Sequence, residues 1–137
     1  MKALAPGPLG RSNFRVDLGH GDSDAPAAGF SEVVFPALVA DAAAEDAASD
    51  ARHLVLRRGA TGALDLYAWW SASRDGRAPE RRTVTVELMS GDAARVVMRW
   101  RFRDAWPVRL HYSPLDAMVS GLLFETVALA FARVDMD

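Results

Sequence analysis

Thr83-Val84-Thr85-Val86-Glu87-Leu88, then the turn Ser90-Gly91-Asp92, then Arg95-Val96-Val97-Met98-Arg99-Trp100-Arg101-Phe102-Arg103: on both sides of this turn large apolar side chains recur at every second position. A period of two is the repeat of a half-buried strand, and two such runs joined by a short Gly/Asp turn read as a β-hairpin. Val84, Val86 and Leu88 share a face with Val96, Met98, Trp100 and Phe102, while threonines, Glu87 and the arginines occupy the other. One apolar and one polar face place the hairpin in an antiparallel sheet that covers a core on one side only.

Downstream, Asp104 and Pro107 bracket a bend, Val108, Leu110 and Tyr112 begin another strand, and Ser113-Pro114 ends it. The segment from about Leu122 to Val134 is apolar on both faces, which predicts a strand in the middle of a sheet or beside another subunit. Upstream, Asn13 to Leu18 alternates, a second strand runs from about Ala28 to Phe35, and His53 to Arg57 is a short third. Arg58 to Gly62 reads as a turn into a helix over about Ala63 to Ser73, with Thr61 or Gly62 at its start and Gly76 past its end. Trp69 and Trp70 cannot share the centre of one narrow helix face, so one packs inward and the other reaches an edge or a partner. About seven strands and one helix at these intervals have the spacing of a sandwich or barrel.

With 137 residues the chain is one domain's worth, large enough to bury a core without staples. The Pro/Gly-rich residues 1–12 read as a flexible arm and 13–137 as the domain, with 34–52 a variable loop rich in alanine and acids. The absence of cysteine excludes disulfides, thiolate metal sites and cysteine nucleophiles. A formal net charge of −2 gives no global basic field for nucleic acid. The start lacks a signal-peptide pattern, so assembly in the cytoplasm is expected. The apolar stretch Ala117 to Ala132 is too short to span a bilayer and reads as a core element, so membrane insertion is not expected.

No chemistry emerges from the motifs. His20, His53 and His111 lie far apart, Gly59-Ala60-Thr61-Gly62 lacks a P-loop lysine, and there is no Gly-x-Ser-x-Gly elbow, so no metal, cofactor or catalytic residue is assigned. Lys2 is the only lysine, and the other cations are all arginine, a side chain suited to subunit interfaces. Arg95 to Arg109 with nearby tryptophans has the ingredients of a nucleic-acid platform. Trp100 is in register with the core face, however, which favours a salt-bridged sheet face opposed by Asp17, Glu87 or a neighbour's acids.

Three blocks carry a family resemblance. Phe14-Arg15-Val16 with Gly29-Phe30-Ser31-Glu32-Val33, Leu54 to Thr61 followed by Trp69-Trp70 and Arg74-Asp75-Gly76, and Trp100-Arg101-Phe102-Arg103-Asp104-Ala105-Trp106-Pro107-Val108 with Glu125-Thr126-Val127-Ala128-Leu129-Ala130 resemble, in order, the tube proteins of contractile phage tails and related injection systems. The resemblance implies two antiparallel sheets forming a β-barrel flanked by one α-helix, similar to the type VI secretion tube subunit. It implies a structural, non-enzymatic subunit without cofactor, whose partners are itself in a hexameric ring, the tube, sheath or baseplate proteins of the same particle, and cargo or DNA in the lumen. The candidate interface residues are Arg57, Arg58, Gly59, Trp69, Trp70, Arg99, Arg101, Trp106 and Pro107. Val34 to Arg52 departs from the family's longer hairpin here, which points to a tube end or baseplate position or a divergent tube. Acids at 41–50 and arginines at 95–109 could meet between subunits. The alternative reading is a monomeric β-barrel module that binds a small ligand or a peptide.

Overall fold

The computed structural model describes residues 9–19, 29–40, 52–75 and 80–137. Most of the proposed arm, His20, the acidic run 41–50 and the proposed helix exit at Gly76 lie outside them. The elements run β1 (Phe14–Asp17), β2 (Phe30–Val34), β3 (Leu54–Gly59), α1 (Asp65–Arg74), β4 (Arg82–Met89), β5 (Val96–Tyr112), β6 (Phe124–Ala130) and β7 (Arg133–Met136). All pairings are antiparallel. The expected sandwich-or-barrel order of seven strands and one helix is present among the described residues.

One strand organises both sheets. The first part of β5 pairs with β4 and β7, β4 carrying β1 on its far side, and the last part pairs with β6, which continues through β3 to β2. The bend expected between Asp104 and Pro107 is therefore not a break between strands but a corner inside one strand of 17 residues. Its cause is local. Opposite the step from Arg82 to Val84, β5 advances from Ala105 to Phe102, so two residues face one, and Asp104 takes φ 55°. Such a bulge bends a strand, and Asp is among the few residues that accept a left-handed conformation. A second shift falls beside Pro107, which has no N–H to give to a ladder. The partner bends in step: the apolar run expected over 122–134 is interrupted at Phe131–Ala132, giving β6 and β7, with the Ala132 amide donating to the Arg103 carbonyl.

Alternation sends the apolar side chains inward. Val84, Val86 and Phe102 from one sheet meet Leu54, Leu56, Val127 and Leu129 from the other, and α1 adds Leu66 and Trp69. Phe102 contacts Phe131 edge-on at 5.1 Å, an arrangement aromatic pairs prefer. Leu66 and Trp69 sit three apart on α1, so one helix face reaches the core while Trp70 stays at the edge against Tyr67. The helix begins at Asp65 rather than Ala63, and neither Thr61 nor Gly62 caps it; Leu64 holds the cap position without a side-chain bond. The hairpin turn extends past Ser90-Gly91-Asp92 to Ala93, which takes the left-handed conformation at φ 59°. Asp92 compensates by accepting from the Ala94 amide and the Ser90 hydroxyl.

Left-handed backbone at a residue with a Cβ costs about 1–2 kcal/mol. Ala93→Gly is therefore expected to stabilise the fold by up to about 1 kcal/mol, and Asp104→Val to destabilise it by about 1–2 kcal/mol, both read from urea midpoints. An unchanged midpoint for either variant would contradict the turn or corner assignment.

Candidate assembly surfaces

Two inward-facing rows each end on a charge. In β3, Leu54, Leu56 and Arg58 share the buried face, and in β6, Glu125, Val127 and Leu129 do. The strands are registered so that Arg58 lies opposite Glu125. The Arg58 Nε donates to Glu125 Oε1 at 2.5 Å, and its two terminal nitrogens donate to both carboxylate oxygens of Asp65, the first residue of α1. The side chains of Arg58 and Glu125 are only 8% and 3% exposed, so this is a buried cluster and not a surface pair. Burial alone would lower the Arg58 pKa, but hydrogen bonds and charge from Asp65 and Glu125 outweigh it and raise the value. For Asp65 burial pushes up and Arg58 pulls down more strongly, leaving a pKa below the usual carboxylate range. Tyr112, opposite Glu125 on β5, is raised by burial and by its hydrogen bond to that carboxylate.

Several of the expected interface residues are used inside the chain. Arg58 is in a strand and buried, not in a turn, and the half-buried Gly59 ends the same strand. Trp69 is buried beneath the Arg82 guanidinium, 4.3 Å from the ring centre, and its indole N–H donates to the Glu80 carbonyl at 2.7 Å. Arg57 stacks on Phe124, Arg74 on Trp70 and Arg81 on Trp106, while Pro107 is buried in β5. Arg99 and Arg101 join a mesh on the outer face of the first sheet. Glu87 receives Arg15 and Arg99, Asp137 receives Arg99 and Arg101, and Asp135 receives Arg103 and Arg133. Of the acids expected to oppose these arginines Glu87 does so, and Asp17 instead accepts from the Gly19 amide. Exposed pairs of this kind gain little over hydration by water, so the mesh shapes the face more than it stabilises the fold. Arginine's planar fork thus serves ion pairs and aromatic stacking within the chain.

The surfaces left open are apolar. The first part of the stretch Ala117 to Ala132, expected to be a core element, lies instead in an exposed connection from β5 to β6 that carries Leu115, Met118, Val119 and Leu122. At the other end, a cleft of about 730 Å³ opens between β1, β4, β5 and β2, with Phe14, Val33, Phe35, Leu88, Met98 and Trp100 in its lining. The described residues include no group of His, Asp and Glu placed to hold a metal ion and no helix long and apolar enough to cross a membrane. No single motif marks the exposed tongue in the sequence; its signal is a Ser-Pro stop followed by apolar residues without strand alternation.

Residues 11–135, corner, buried cluster and tongue included, match the family model described as T4-like virus tail tube protein gp19. The chain belongs to this tail tube family. It is a structural protein of the tail tube kind. Solved structures agree on the fold. A chain of the anti-feeding prophage baseplate superimposes with TM-score 0.72 at 19% identity, covering 97% of each chain. A chain of the sheath-tube complex of an extracellular contractile injection system, PVC, gives 0.69 at 20% identity over 95% of this chain and 91% of that one. Hcp1 from Flavobacterium johnsoniae gives 0.63 at 17% identity over 90% and 94%. No curated protein matches the sequence. In this tail tube family member, the described surface offers an exposed apolar loop and a partly apolar cleft.

Removing Arg58 strands a buried carboxylate, so Arg58→Met is expected to cost about 3–5 kcal/mol in urea unfolding at pH 7. Asp65 and Glu87 both have folded pKa values held low, Glu87 by Arg15 and Arg99 against an upward push from burial. Their contribution is complete above the ordinary carboxylate range and is lost as pH falls through the depressed values. Stability should therefore be level near neutral pH and fall below about pH 4, with a shallower fall in Arg58→Met; equal slopes would contradict the cluster's role.

Proposed function

We propose that six copies of this chain close into a ring, and that the ring stacks into, caps or initiates a hollow conduit of a phage-tail-like particle. The observation that carries this is the family match, which runs unbroken across both sheets and the helix from residue 11 to 135. Symmetry supports the number: the anti-feeding prophage baseplate, which holds a chain of the same fold, is 6-fold symmetrised. The open apolar surfaces supply contact area, and their difference from one another fits a heterologous, ring-closing interface. Tube, sheath or baseplate proteins of the same particle are the proposed partners, and cargo or DNA is what the lumen would pass. The role is mechanical, with no chemical step.

Placement at a tube end or in a baseplate rests on the connection between β2 and β3, which is short and rich in alanine and acids where the resembling tube proteins carry a longer hairpin. The ligand-binding barrel is the weaker reading because Phe102, Leu54, Leu56, Val84, Val127 and Leu129 fill the space between the sheets. Native mass spectrometry tests the ring: a species of six times the chain mass is expected. A monomer at every concentration, with or without a baseplate fraction, would contradict it. Negative-stain images test the placement, since long smooth tubes formed by this chain alone would rule out an end piece while leaving the ring intact.

A further inference from the structure

We draw no further inference here: the strongest candidate, the cleft between β1 and β2 lined by Phe14, Val33, Phe35 and Trp100, holds Arg11 and Glu32 of opposite sign in the same lining, and nothing in the structure shows what covers it.

Discussion

The guanidinium of Arg58, held between Glu125 and Asp65, is the constraint on which the arrangement of the rest depends. It joins three elements that are remote in sequence: β3 supplies the cation, β6 one carboxylate and the first turn of α1 the other. Because side chains alternate along a strand, the only β3–β6 register that brings Arg58 against Glu125 also aligns Leu54 with Leu129 and Leu56 with Val127. A slip of β3 by one residue would turn Leu54 and Leu56 outward together with Arg58, which shares their face, and would part Arg58 from Glu125 and Asp65. The cluster adds little net stability over an apolar substitute, but it penalises wrong registers and fixes where the helix starts.

From that register follows the geometry of β5. It pairs along β6 at the cluster's end and leaves for the other sheet at the Asp104 bulge, so both ends of the molecule are referred to one continuous strand. The arginine-only chemistry serves the same rigidity. Guanidinium groups cover Trp69, Trp106 and Phe124 and cross-link β1, β4, β5 and β7 through Glu87, Asp135 and Asp137. Among the described residues, the apolar loop 115–122 and the cleft lined by Phe14, Phe35 and Trp100 are the features left open.

Much of this frame was legible in the sequence because periodicity is a strong signal in the β4–β5 hairpin and in β6, where apolar residues repeat without interruption. That one of Trp69 and Trp70 packs inward while the other reaches an edge followed from helix geometry; that Trp69 is the inward one came from the structure. Arg58 was misread as a turn residue because a charge beside a glycine imitates one. The signal that would have found it was its spacing from Leu54 and Leu56, matched by Glu125 before Val127 and Leu129: two opposite charges, each in phase with a buried row. The bend between Asp104 and Pro107 was legible, but its being a bulge inside one continuous strand was not, since a bulge is set by pairing opposite Thr83, which local sequence does not encode. The tongue was taken for core because composition records how apolar a segment is and not whether anything covers it.

The central claim is that this barrel, held by one buried cation, is the repeating unit of a six-membered ring of the tail tube kind. A cryo-EM map of the assembled protein at side-chain resolution tests it most directly. The account predicts closed six-fold rings in which the Arg58 cluster is intact in every subunit. Assemblies of another symmetry, or rings in which β3 and β6 adopt a different register, would contradict it.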